Sequence, residues 1–388
     1  MNTKTIAIAV VAILIIAGAG IFIYNNSNKE GDGDLVTAAQ IISRVNTDGS
    51  GIYMKVTYQD VKFFDSDNNP IKDAWDKKVF GTPGTASIQH VQLQEIVTGM
   101  GLKFVKYDGT KTSGNVYYVD NVTNADAATT KVAEQLDGGI LWEPQYSKII
   151  DDSKYFGLIT TNELFPGHTC CVVAASESFL KNNSDAATAF LAGYIKGVDW
   201  INKALDDKTS DDYKQLITIC KKYTEGLTDD VIENALSIVK YTYADDSTGS
   251  LAKLKEDVAE LEESLTASGN IPKPITSYGF KDTTEFANAF IDDTYLKNAI
   301  SGGDDAKLTV KKTVRVALIE GDIHQIAIRV AADLGYFEEY NVDVNIHSIQ
   351  KGPAVALEVV QGKETDIGFA GAPPMTINTV NTDGGIHR

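Results

Sequence analysis

Cysteine is scarce in this 388-residue chain: three residues, Cys170, Cys171 and Cys220, with no C-x-x-C spacing among them. A disulfide framework is therefore excluded, and so is a zinc motif of the paired-cysteine kind. Positive charge is also short. Thirty-five Lys and Arg face 53 Asp and Glu, for a net charge of −18. Such a surface repels phosphate backbones, so no nucleic-acid partner is expected. There is no G-x-S-x-G elbow, no Walker loop and no H-E-x-x-H, so nothing in the sequence is arranged to activate a nucleophile or a metal-bound water. No 20–50-residue repeat appears, which removes solenoids and propellers. Long apolar runs are missing too, with one exception at the N-terminus.

That exception is Ile6–Tyr24, almost continuously apolar and lying in a charge-free stretch from Thr5 to Asn28. At about 1.5 Å per residue it approaches the ~30 Å hydrocarbon core of a bilayer. Lys4 precedes it and an acidic stretch comes after it, so the positive-inside rule leaves the body outside the cell. Residues 1–24 are accordingly expected to be a transmembrane anchor, with a cleaved signal segment as the alternative. Residues 25–35, rich in Asn, Ser, Gly and Asp, read as a flexible linker. The whole chain is 43% hydrophobic, and the part after the linker is long enough for two lobes at ~100–200 residues per domain.

β-rich runs then alternate with helical patterns. Strands are expected at 40–46, 51–56, 77–83, 138–144, 170–176, 313–321, 342–348 and 365–374, with helices at 87–101 and 324–337. This alternation predicts α/β architecture with parallel sheets. From Ser184 to Ile300 the chain reads as mainly helical. Phe190, Leu191, Tyr194, Ile195, Val198 and Ile201 form one apolar stripe, and Leu251, Leu254, Val258, Leu261 and Leu265 form another. Two heptads are too few for a coiled coil, so the second stripe is expected to pack on the body.

The stretch VRVALIEGDIHQIAIRVAADLGYFEEYNVDVNI, with GPAVALEVVQGKETDIGFAGAPP after it, resembles the opening lobe of periplasmic-type substrate-binding proteins of ABC transporters. The resemblance is to the nitrate, sulfonate, taurine and thiamine-precursor group. Residues 36–300 resemble the later portion of those proteins, through IISRVNTDGSGIYMKV, VFGTPGTASIQHVQLQEIVTGMGL, ILWEPQYSKII and LFPGHTCCVVAASESFL. The opening segment thus stands last, and VNTDG occurs both at 45–49 and at 380–384. The resemblance implies a two-lobed, type II periplasmic-binding-protein-like fold in circularly permuted order. Lobe 1 would comprise 36–77 and 168–388, with a helical return segment, and lobe 2 would comprise 78–167.

It further implies a monomeric extracytoplasmic receptor for a small ligand, working with an ABC permease and needing neither cofactor nor metal. Catalysis is not expected; a thiamine-precursor enzyme and a non-transporting sensory or interaction module are the alternatives. Ligands in such folds sit at strand-to-helix turns, which places Gly321, Asp322, His324 and Gln325 in one wall. Gly371, Ala372 and Pro373 form a second turn, and Gly84, Thr85, Ser87 and His90 a third. Helix starts favour anions, so a sulfonate, nitrate or similar group is expected, or else a pyrimidine. Asn46 and Ser50 flank the presumed lobe crossover. Trp142 offers a flat wall beside Glu143, and His168 lies near the cysteine pair. Adjacent strand residues point to opposite faces, so Cys170 and Cys171 are read as buried strand residues unable to share one ion. Residues 64–76 look like a calcium loop but carry Pro70 where glycine is needed. They are read as a polar turn.

Overall fold

The computed structural model describes residues 35–388. The apolar segment Ile6–Tyr24 and most of the linker lie outside the described residues, and among the described residues no helix is long and apolar enough to cross a membrane.

β-Branched runs bounded by turns form two large sheets, beside two small two-stranded ones. The first runs, in spatial order, Val342–Ile349, Lys312–Ile319, Ile367–Gly371, Cys171–Ser176 and Ala39–Arg44. Its first three strands are parallel, Cys171–Ser176 runs antiparallel to them, and Ala39–Arg44, antiparallel to Cys171–Ser176, runs in the original direction again. The parallel strands are joined through helices Ile326–Asp333 and Gly352–Gln361, the crossover connections that parallel pairing requires. The second sheet runs Lys103–Lys106, Asn115–Val119, Val79–Gly81, Gly138–Trp142, Ser50–Lys55 and Tyr155–Thr160. Here again a parallel set ends in two antiparallel pairings. The expected strands are found within a few residues, and Lys103–Lys106, Asn115–Val119 and Tyr155–Thr160 join them.

Each large sheet has its own apolar core. Phe190 stacks on Phe337, and Tyr194 meets Phe369 edge-on, fixing helix Ser184–Asp206 against the first sheet. The second stripe belongs to helix Ala252–Ala267; Leu254, Val258 and Leu265 are fully buried in the same core, so it packs on the body as expected. Beside the second sheet, Trp75 stacks on Phe80 and donates its indole N–H to the Phe63 carbonyl (3.0 Å).

One boundary needs correction. Residues 50–77 were expected in lobe 1. Ser50–Lys55 pairs with Gly138–Trp142 and Tyr155–Thr160, and Phe63 and Trp75 share a core with Ile52 and Phe80. The chain therefore leaves the first sheet at residues 45–49 and returns through 161–170. The two passages touch: Asp48 N–H donates to the His168 carbonyl (3.2 Å), and Gly167 N–H to the Asp48 carboxylate (3.0 Å). The Asp65 carboxylate accepts from the Asp67 and Asn69 amides (2.9 Å each), which makes the calcium-like loop a polar turn closed on itself.

Candidate functional site

The two crossing passages bring groups from both sheets to one place. Asp48 and Gly49 take positive φ (62° and 98°), and this sharp turn presents the Gly49 carbonyl between the lobes. Two donors reach it: Glu143 N–H at 3.0 Å, from the second sheet, and His324 Nε2 at 2.8 Å, from the loop after strand Lys312–Ile319. A Cβ on Gly49 would lie 2.4 Å from His324 Nε2, so only glycine allows this approach.

His324 is 1% exposed. Asp322 caps its short 3₁₀ turn by accepting the His324 amide (2.9 Å), and the Tyr241 hydroxyl donates to the Ile323 carbonyl (2.8 Å). Gln325 holds the strand ends, accepting from Ile319 N–H and donating to the Phe369 carbonyl. With Nε2 turned to Gly49, the other ring nitrogen faces the cysteine pair. Nδ1 is 3.9 Å from Cys170 Sγ and 4.0 Å from Cys171 Sγ, and the sulfurs are 3.8 Å apart. This overturns the expectation that the two side chains diverge. Strand pairing begins only at Cys171, so Cys170 still belongs to the irregular passage and the alternation rule does not govern it. All three cysteines are free thiols; Cys220 lies apart, its thiol pushed up to about 12 by burial.

The electrostatics are unusual for so dry a place. Burial raises the Glu143 carboxyl to about 7, against Ser147 N–H and Oγ, which donate to it, and the pull of His324. Burial likewise raises Asp322 to about 6, opposed by His324 and its amide. The Cys170 thiol is pulled well down, first by the Cys171 S–H and against its burial, with His324 assisting. Burial alone would depress His324. The Cys170 thiolate and Asp322 outweigh it and lift the imidazole to about 10.

The other expected residues divide. Asn46 belongs to the cluster: its Nδ2 donates to the Asp48 carbonyl, and its Oδ1 accepts the Cys171 amide. Ser50 lies next to it and accepts from Gln89 Nε2 at 2.9 Å. Ala372 N–H donates to the Cys170 carbonyl (2.9 Å) beside Gly371, and Pro373 and Pro374 carry no N–H. That helix start therefore has almost no free donor for an anion, contrary to expectation. His168 Nδ1 faces the Phe165 carbonyl and Asp48. Trp142 pairs with Ser50 across the ladder and is half-buried.

Gly84 and Ser87 close the cap of helix Ile88–Gly99, and Thr85 bonds Asn270. His90 turns inward to Thr82 Oγ1 (3.1 Å) and stands edge-on to Tyr118; burial lowers it to about 4. Arg44, buried beside the crossing, is spent on Asp245, Asp257 and Thr169. Sequence reasoning missed the Gly49 carbonyl, Gln89 and the cysteine pair. Gln89 and Gln92 on the buried face of one helix were a readable signal, and both Gln92 amide atoms lack a partner.

Two α/β lobes joined by adjacent crossings, with polar groups converging between them, define a periplasmic-binding-protein-like fold. A model of the NMT1-like family matches residues 7–218, over half of the chain, and the protein belongs to that family. Among solved structures, the periplasmic nitrate-binding protein NrtA from Synechocystis PCC 6803 is similar at 16% identity and TM-score 0.50, covering 69% of this chain and 68% of that one. A ligand-binding component of an ABC-type import system from Staphylococcus aureus, its structure described as having zinc bound, is similar at 15% identity and TM-score 0.45, over 68% and 75% of the two chains. The periplasmic aliphatic sulphonate binding protein SsuA from Escherichia coli is similar at 19% identity and TM-score 0.39, over 62% and 66%. No curated protein matches the sequence.

Proposed function

We propose that this protein is an extracytoplasmic solute receptor that closes two lobes on a small polar molecule and passes it to an ABC permease. The observation that carries this reading is the Gly49 carbonyl, bonded at once to Glu143 of one lobe and His324 of the other. Around it stand Asn46, Ser50, Gln89 and Asp322, a set of the kind that orients a ligand in an interlobe cleft. Membership of the NMT1-like family and the fold shared with a nitrate-binding protein support it. Hinge closure about the two crossings would be the working motion.

The charge at the convergence favours a ligand that brings N–H donors, such as an aminopyrimidine, over nitrate or a sulfonate. Glu143 and Asp322 are both carboxyl groups, and Arg44 is already paired. We also read the chain order as a circular permutation, with the protein acting as a monomer. In support, Val36–Thr37 pairs antiparallel with Ile386–His387, so the two ends of the body lie side by side. Ile6–Tyr24 would serve as anchor or signal. A thermal-shift series with nitrate, taurine, an alkanesulfonate and an aminopyrimidine tests the reading. A ligand at a hundredfold excess over its Kd stabilises by about 2.7 kcal/mol, several degrees in Tm. The aminopyrimidine is expected to give that shift and the anions none. A shift from the anions alone overturns the ligand class; no response from any of the four overturns the receptor reading.

A further inference from the structure

Cys170, Cys171 and His324 form a cluster that solute binding does not explain. Their three ligand atoms lie within 4.8 Å of one another, and all three residues are buried. A tetrahedral zinc ion with Zn–S about 2.3 Å and Zn–N about 2.05 Å has edges of about 3.8 Å between sulfurs and about 3.6 Å between sulfur and nitrogen. The corresponding distances here are 3.8 Å, and 3.9 and 4.0 Å. Three atoms thus already stand close to one face of such a tetrahedron, although they come from positions 154 residues apart in the chain.

A second observation is independent of those distances. His324 Nε2 faces the Gly49 carbonyl at 2.8 Å, an acceptor that requires a proton on Nε2. In a neutral imidazole that leaves the Nδ1 lone pair directed at the two sulfurs. An outer backbone carbonyl fixing the tautomer is the usual companion of a metal-bound histidine. The charge count selects the class of ion. Two thiolates and a neutral imidazole around a divalent cation sum to zero, leaving the Asp322 carboxylate as the neighbouring negative charge; a monovalent ion would add a second.

We propose that Cys170 Sγ, Cys171 Sγ and His324 Nδ1 bind one thiophilic divalent metal ion of the zinc class. These three supply three of the four positions of a tetrahedral ion, and the Asp322 carboxylate lies 3.4 Å from Nδ1. Ligation requires both sulfurs and Nδ1 to be free of protons, so binding releases protons to solvent. The cysteines end one passage between the lobes, and the histidine is tied to Gly49 on the other. Metal occupancy would therefore couple the two crossings.

The test uses the full-length protein, reduced and stripped with a chelator. Zinc is titrated against a chromogenic competitor, and cobalt(II) serves as a spectroscopic substitute. The expected result is one zinc per chain, with cobalt giving a thiolate charge-transfer band and the intense visible bands of tetrahedral geometry. C170S, C171S and H324Q should each weaken binding by at least about 100-fold, because loss of even an outer partner of a metal ligand costs about 10–100-fold. C220S should bind as the parent does. Cobalt without a thiolate band in a folded parent protein overturns the proposal, as does zinc retained equally by C170S and C171S. Because the parent's cobalt spectrum needs no substitution, misfolding of a variant cannot obscure the outcome. No solute is present, so the result stands apart from the receptor reading.

Discussion

Replacing Gly49 with alanine probes the point where the two lobes meet. Two costs can be worked out separately. Gly49 has φ of 98°, and placing an L-residue in that region costs about 1–2 kcal/mol. The added methyl would also stand 2.4 Å from His324 Nε2, 2.9 Å from its Cδ2 and 3.3 Å from Asn46 Nδ2. The ring cannot retreat: it is 1% exposed, with its far side against two sulfurs. Overpacking of this kind costs about 1–3 kcal/mol. Gly49→Ala should therefore destabilise the protein by about 2–5 kcal/mol.

Gly109 is the matched control. Its φ is 99°, yet nothing lies within 4 Å of the Cβ it would acquire. Gly109→Ala should lose only the conformational part, about 1–2 kcal/mol. The unfolded-chain entropy of a Gly→Ala exchange is common to both and cancels. Urea unfolding of the two variants beside the parent measures the difference. If Gly49→Ala costs no more than Gly109→Ala, His324 does not pack against the crossing as described, and the convergence of the two lobes on that carbonyl is refuted.

Two pH dependences arise from buried groups. Glu143 has a folded value near 7 against an ordinary 4.5, raised by burial. A raised acid contributes stability that is fully present below about 4.5 and lost as pH climbs through 7, here about 3 kcal/mol. Glu143→Gln should flatten that decline in unfolding free energy, and equal declines in both proteins would contradict it. His90 behaves oppositely. Its folded value near 4, set by burial, gives stability present above about 6.5 and lost as pH falls through 4, again about 3 kcal/mol. His90→Gln should remove that acid-side loss; denaturation midpoints that fall with pH as steeply as the parent's would count against it.

Much of the fold was legible because apolar periodicity is a local property. Val172–Ala175 and Val316–Leu318 are continuous apolar runs, which buried parallel or central strands demand, and the stripe from Phe190 to Ile201 repeats at helical spacing. Lys103–Lys106 and Asn115–Val119 escaped notice because they are short, half-exposed strands whose polar and apolar residues match a loop as well as an edge. The lobe boundary was misplaced for a different reason. Residues 50–55 have the same composition whichever sheet they join, and only pairing with Gly138–Trp142 decides between them.

The site divides the same way. The glycine turns and the loop at 321–325 could be picked out along the chain, since turn chemistry needs particular residues. The partners of the Ala372 amide and of the His90 ring could not be read along the chain, because whether a polar group is free depends on what packs opposite. By itself the sequence determined an acidic α/β body with helices and strands in a known order, because burial patterning is encoded residue by residue. The tertiary structure alone decided that one carbonyl at Gly49 joins Glu143 and His324, the latter 275 residues away, and that two neighbouring thiols share one histidine. Chain folding sets such distances, and no local spacing records them.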